Sequence, residues 1–316
     1  MSIAAAIPSL ATMDSSSQRQ NGAVLSRPEN PRAKAPASAF ARVLVGFGSA
    51  PGAPDALKLG TALAGTGGEL ILTSVRAGAP EAIAPGAYGR LVREEEDRIA
   101  REATPLLGGR KFEVSAIAGG TAAEGLRAIA TDASADLIAI GSTHRGLVGR
   151  VLLGSVGERV LDGAPCAVAI APRGLASRNF KPRRVLVGCD GSPESLAAVK
   201  LAGTVAAAND SQLTLLGVVE MRFTLAGLPR PTEPAEVARL EQALEHAASS
   251  LPPALAPTIR EVHGVPAEVI AAAGHEADLL VVGSRGHYGP LRRTMLGSVA
   301  AKLARTAPCP TLITPT

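Results

Sequence analysis

The sequence predicts two tandem α/β domains, each built on a doubly wound, five-stranded parallel sheet. Three observations carry that reading. A chain of 316 residues is long for one hydrophobic core. Its two halves repeat one another: "ARVLVGFGS" with "RRVLVGCDGS", "ADLIAIGSTHRG" with "ADLLVVGSRGHYG", "LLGSV" with "MLGSV", and "APCAVAI" with "APCPTLI". The offset is 142 between Gly141 and Gly283, and 143 between Ser155 and Ser298 and between Cys166 and Cys309, so a whole domain is duplicated rather than a short solenoid unit. Within each copy, short apolar runs alternate with stretches of helical spacing, as in βα units.

The elements follow in order. Val43–Val45 and Val185–Val187 are first strands, apolar and short enough to be buried. "DALKLGTALAG" and "ESLAAVKLAGTVAAA" have helical spacing, and "LILTSV" and "LTLLGVV" read as second strands. "YGRLVREEEDRIAREATPLL" and "PAEVARLEQALEHAASSL" are helical by periodicity and charge, with "REEED" as an exposed face. "KFEVSAIAG" and "TIREVHG" are third strands, followed by the helices "AAEGLRAIATDAS" and "PAEVIAAAGHE". "DLIAIG" and "DLLVVG" are fourth strands, apolar enough to be central and parallel. Asp136 and Asp278, just before them, are expected to cap the preceding helix or turn the chain. A glycine loop, a helix from near Ser155 or Ser298, and a last strand close each copy.

Residues 1–40, rich in Ser, Pro, Ala, Asn and Gln, predict a disordered tail. The domains then run 41–172 and 183–316, joined by a solvated basic linker at 173–182. Apolar residues are 46% and charged residues 19%, with aromatics only 2% and no Trp, so the cores must be Ala, Val, Leu and Ile. The scarcity of aromatics removes the stacking platforms of single-strand binders, and a net charge of +4, much of it near the linker, argues against a nucleic-acid partner. No run reaches the roughly 18 apolar residues of a membrane helix, so no membrane partner is expected. The first residues lack the cationic start of a signal peptide. Cys166, Cys189 and Cys309 lie in apolar strand-like runs with no CxxC or Cys/His cluster, which predicts buried thiols in a reducing, cytoplasmic compartment and no metal site.

Two stretches carry the chemistry: "GSTHRGLVGRVLLGS" (Gly141–Ser155) and "GSRGHYGPLRRTMLGS" (Gly283–Ser298). Each follows a central strand and opens a helix, where α/β sheets bind ligands. Glycines let backbone approach a ligand and present N–H groups, and a helix N-terminus adds partial positive charge, so phosphate is the natural occupant. A plain strand-to-helix connection with tight packing is the ordinary alternative. The sequence has no G-x-x-x-x-G-K-[ST], no G-x-G-x-x-G after a first strand, no H-E-x-x-H and no G-x-S-x-G, which argues against the common nucleotide-hydrolysing, dinucleotide, zinc-protease and hydrolase sites.

On these residues the chain resembles a tandem universal stress protein over roughly residues 40–316. That family carries G-x2-G-x9-G-[ST] after its fourth strand and a "VGxDGS" pattern after its first, on a Rossmann-like, adenine nucleotide alpha hydrolase-like fold. The resemblance implies that Asp190, Gly191 and Ser192 sit at the base side of an ATP site, with Val218 and Val282 lining base and ribose. It implies that Gly283, Gly286, Gly297, Ser298 and the Val299 backbone hold the phosphates, with or without Mg²⁺. In copy one the matching positions are Val75, Ile140, Gly141, Gly154, Ser155 and Val156.

Both copies depart from the pattern. Ten residues separate Gly286 from Gly297, as though His287 were inserted. In copy one His144 replaces the second motif glycine, Gly146 follows two residues on, and Gly48 stands where copy two has Asp190. Copy two is therefore expected to be the better base site, and copy one at most a phosphate cradle. His144 reads as a surface residue rather than a general base, and Arg292 and Arg293 suit either a triphosphate or a solvated face. Gly297 is expected to need its small size for close approach, and a positive φ there is open. No catalytic residue is evident. The implied role is regulatory and non-catalytic in stress response, the copies pairing internally and a further homodimer being compatible. The alternatives are a nucleotide-independent interaction protein of the same fold, or a slow ATP hydrolase.

Overall fold

The structure is a computed structural model, and it describes residues 38–76, 78, 87–142, 150–151, 153–221, 232–286 and 296–315. Copy one runs β1 (Arg42–Gly46), α1 (Ala53–Ala64), β2 (Glu69–Arg76), α2 (Tyr88–Leu107), β3 (Glu113–Ala118), α3 (Ala122–Asp132), β4 (Leu137–Gly141), α4 (Ser155–Leu161) and β5 (Ala167–Ala171). Copy two runs β6 (Arg184–Gly188), α5 (Pro193–Asn209), β7 (Gln212–Glu220), α6 (Pro234–Ser249), β8 (Thr258–Gly264), α7 (Pro266–Ala273), β9 (Leu279–Gly283), α8 (Ser298–Thr306) and β10 (Thr311–Thr314). The expected alternation is present in both copies.

All ten strands belong to one sheet, in the order β3-β2-β1-β4-β5-β10-β9-β6-β7-β8. Each copy contributes five parallel strands. They meet at an antiparallel seam, β5 against β10, with Leu312 opposite Ala169 and Ile313 opposite Val168. Alternate side chains leave the two faces. Val43, Val45, Val185 and Val187 pack under α1, α2, α5 and α6, while Leu44, Ile138, Leu186 and Leu280 pack under the helices of the other face. Central strands must be apolar on both sides, and β4, β5 and β9 are.

Several local assignments differ from expectation. Asp136 and Asp278 do not cap the helices before them. The Asp136 carboxylate accepts from the amides of Ala41 (2.6 Å) and Arg42 (3.2 Å), and Asp278 accepts from the amide of Arg184 (2.9 Å) and from its guanidinium. Each carboxylate thus pins the start of the neighbouring first strand, across 94 to 95 residues of sequence. Phe40, placed in the tail by sequence, is 3% exposed and belongs to the core. The linker is tied down: Leu175 is buried, and the buried Asp55 carboxylate of α1 accepts from the amides of Gly174 (3.0 Å) and Ala176 (2.7 Å). Within "REEED", Glu95 turns inward to pair with Arg98 rather than facing water.

Candidate functional site

In copy two, β6 leads to β7 on one side while β9 leads to β10 on the other, so the carboxyl ends of β6 and β9 frame the crevice of a doubly wound sheet. Asp190 follows β6 and is exposed there. Its Oδ1 accepts from the amide (3.0 Å) and hydroxyl (2.6 Å) of Ser192. Ser192 in turn caps α5, its hydroxyl accepting from the Ser195 amide at 3.2 Å. Gly191 between them has φ +81°, a conformation that favours glycine. The loop thus holds a carboxylate at the mouth of the crevice, with Oδ1 bound to Ser192.

Gly286 brings the other side of the crevice against that carboxylate: a Cβ on it would lie 2.6 Å from Asp190 Oδ2. A Cβ on Gly283 would lie 2.8 Å from the Glu194 carbonyl carbon and 3.0 Å from the Ser195 amide, so this glycine is required by the packing of β9 on the first turn of α5. Gly141 is constrained alike in copy one, where its Cβ would lie 2.1 Å from Gly52 O. The first motif glycine is therefore explained by strand–helix contact.

Gly297 is the N-cap of α8, with φ −63° and ψ 155°. That backbone is open to any residue, so the open possibility of a positive φ is corrected, and what favours the glycine is a tight approach that a neighbour would have to relieve by a few tenths of an ångström. Its amide donates to Ser284 O at 2.7 Å, and a Cβ would lie 3.1 Å from Arg285 Cα and 3.2 Å from Ser284 O. No side chain caps α8, so its first-turn amides at Ser298 and Val299 have no side-chain acceptor from the N-cap. Ser298 is exposed and Val299 half-buried. Val282 is buried and Val218 half-buried, both on the face that carries α7 and α8. The structure thus brings Asp190, Gly191, Ser192 and Gly286 together, and ties Gly297 to the residues just before Gly286.

Copy one is built differently. Gly48, Ala50 and Gly52 replace Asp190, Ser192 and Glu194. Gly52 caps α1 without a side-chain bond. Arg98 reaches from α2 to donate to Phe47 O (3.2 Å), the carbonyl before Gly48, while pairing with Glu95 (2.7 Å) and Glu102 (2.7 Å). The hydrogen bond from Arg98 holds the Glu95 carboxyl below its ordinary range, and Glu95 raises the guanidinium in return. A cation with its own carboxylates thus binds the backbone at the end of β1, in the copy where Gly48 replaces Asp190. Gly154 caps α4 without a side chain, and Ser155 and Val156 are exposed on its first turn. Ile140 is buried and Val75 half-buried, on the same face as α3 and α4.

Sequence reasoning missed Arg98, Glu194 and Arg285. Arg285 Nε lies 3.9 Å from Glu194 Oε1, with the side chains 17% and 25% exposed, which places a cation in the loop beside Gly286. Its position inside "GSRG" was a usable signal. His144, Gly146, His287, Arg292 and Arg293 lie outside the described residues. Among the described residues no group of His, Cys, Asp and Glu could hold a metal ion, and no helix is long and apolar enough to cross a membrane.

Two parallel α/β repeats joined in one ten-stranded sheet define a tandem, Rossmann-like class of protein. The model of the universal stress protein family matches residues 39–172 and 181–315, and the chain belongs to that family. A universal stress protein of Mycobacterium tuberculosis is 27% identical over 212 residues, spanning 60% of this chain and 68% of its own. One of Thermus aquaticus is 35% identical over 137 residues, 42% of this chain and 97% of its own. The crystal structure of a universal stress protein from Archaeoglobus fulgidus superposes with a TM-score of 0.60 at 20% identity, covering 88% of this chain and 97% of its own.

Proposed function

We propose that the protein binds an adenine nucleotide, ATP, in the copy-two crevice, and that occupancy acts in a regulatory, non-catalytic role in a cytoplasmic stress response. The observation that carries this is the pairing of an uncapped helix start, α8 at Gly297, with a strand-end carboxylate, Asp190, around one glycine loop. The helix start suits a phosphate, since its free amides and dipole favour an anion. The Asp190 carboxylate suits an amino group on a base, because an ionised carboxylate only accepts. Gly283, Gly286, Gly297, Ser298 and Val299 would hold phosphate, and Val218 and Val282 would flank base and ribose.

Hydrolysis would require a base to activate water, and the ion pair of Glu194 with Arg285, at 3.9 Å, favours a structural role for that nearby carboxylate. For copy one, Gly48 and the Arg98 pairing favour a second reading, a repeat kept for its fold and interactions rather than for a base. The repeats 41–172 and 183–316, joined through 173–182, then form an internal pseudo-dimer with unequal sites. Equilibrium dialysis of the whole chain against ATP, AMP and cyclic AMP tests this. Retention of ATP by the wild type and its loss in Asp190→Ala support the reading, and absence of any retained nucleotide overturns it.

A further inference from the structure

The two glycine loops are joined by α8. Its N-terminus, at Gly297 and Ser298, is the proposed phosphate cradle of copy two. Its C-terminal carbonyls, which a helix leaves without internal partners, accept from copy one. Ala307 O accepts from the Val151 amide (2.8 Å) and Ala304 O from the Leu153 amide (3.2 Å). Arg305, in the last turn of α8, pairs with Glu158, in the first turn of α4, at 2.8 Å. Val151, Leu153, Val160, Leu303, Ala304 and Ala307 are all buried in one apolar cluster. Val151 and Leu153 stand immediately before Gly154 and Ser155, the cradle positions of copy one. A nine-residue helix about 13 Å long therefore has one nucleotide loop at each end.

We propose that α8 is a strut coupling the two loops, so that ATP at the copy-two cradle fastens Val151 and Leu153 of copy one. The proposal rests on the nucleotide reading above. The physical route is short. An anion on the first-turn amides orders the start of a short helix that would otherwise fray. An ordered helix holds its last-turn carbonyls in place for Val151 and Leu153. Those two hydrogen bonds, with buried side chains behind them, set the entry into α4 and so the position of Gly154 and Ser155. Coupling of this kind is reciprocal, so a change that opens the copy-one segment weakens ATP binding in copy two, up to the same factor.

Amide hydrogen exchange on the full chain, with and without saturating ATP, tests this. Slowed exchange at residues 298–301 reports occupancy of the α8 cradle. The strut predicts that the Val151 and Leu153 amides slow with them, by about fivefold or more, the low end of typical coupling. Slowing at 298–301 with Val151 and Leu153 unchanged overturns the strut and leaves the nucleotide reading standing. No slowing at either place, with no ATP retained in dialysis, overturns both. As a second arm, Leu153→Ala should speed exchange at Val151 and weaken ATP binding by up to the exchange factor, and unchanged affinity in a folded variant whose Val151 amide exchanges freely counts against the strut.

Discussion

Gly286→Ala perturbs the candidate site at one point. The added methyl would lie 2.6 Å from Asp190 Oδ2 and 3.7 Å from its Cγ. Ordinary contact needs about 3.5 Å, so the carboxylate must shift by close to 1 Å or the loop must open. Asp190 is not free to turn, because Oδ1 holds the Ser192 amide and hydroxyl at 3.0 and 2.6 Å. Lengthening one of these charge-assisted bonds costs about 1–2 kcal/mol of stability, part of it recovered because Asp190 is exposed and water can replace a partner. The larger effect is expected on ligand binding. A displaced acceptor loses its bond to the base, and a loss of about 1.4–2.8 kcal/mol is a tenfold to hundredfold weaker ATP complex. Inorganic triphosphate, which needs no contact with the Asp190 carboxylate, should lose less affinity than ATP, because Gly286 is only one of the phosphate-holding positions. Calorimetric titration of both ligands against both proteins reads the difference. If folded Gly286→Ala binds ATP as tightly as the wild type, Asp190 is not a base contact and the two-ended site is wrong.

Burial in the apolar cluster pushes the Cys166 and Cys309 thiols up to about 12, with Asp136 and Asp278 adding to the rise, so the thiolate fraction at pH 7 is on the order of 10⁻⁵. Native-state labelling should be slow and accelerate only towards high pH, and fast labelling of both at neutral pH would falsify their placement. Asp55→Ala removes the acceptor of the Gly174 and Ala176 amides and should cost about 2–4 kcal/mol by denaturant titration; a change below about 0.5 kcal/mol means the linker is not held there. Thr314 is 3% exposed and its hydroxyl has no hydrogen-bond partner among the described residues. Thr314→Val should leave the melting point unchanged or raise stability by up to about 1 kcal/mol, and a clear loss would show that the hydroxyl is paired in solution.

Local pattern carried most of the fold. "TIREVHG" is β8 residue for residue, and α4 and α8 begin at Ser155 and Ser298 as the motif spacing requires. Apolar runs such as "DLIAIG" are legible because a central strand is covered on both faces. The seam was not legible, since "AVAIA" and "TLIT" look like any buried strand, and nothing local says that β5 pairs with β10 antiparallel. The helix-cap alternative for Asp136 and Asp278 fails because their partners lie across the sheet, out of reach of a window reading. The candidate site residues form a motif in the sequence, but the packing reasons for the glycines do not show there. Gly283 answers to the first turn of α5 and Gly297 to Arg285, contacts that exist only once the sheet is assembled. Arg98 reads as one more charge on an exposed helix until α2 folds back over Phe47.

Binding stoichiometry tests the central claim most directly, because the two copies differ at one decisive position, Asp190 against Gly48. The measurement is a calorimetric titration of the full chain with ATP, repeated on Asp190→Ala and repeated again with inorganic triphosphate. The account predicts one tight ATP site per chain, lost or greatly weakened in Asp190→Ala, with triphosphate affinity at the α8 cradle kept in that variant. Two equal ATP sites, or one tight site that survives Asp190→Ala unchanged, would contradict it.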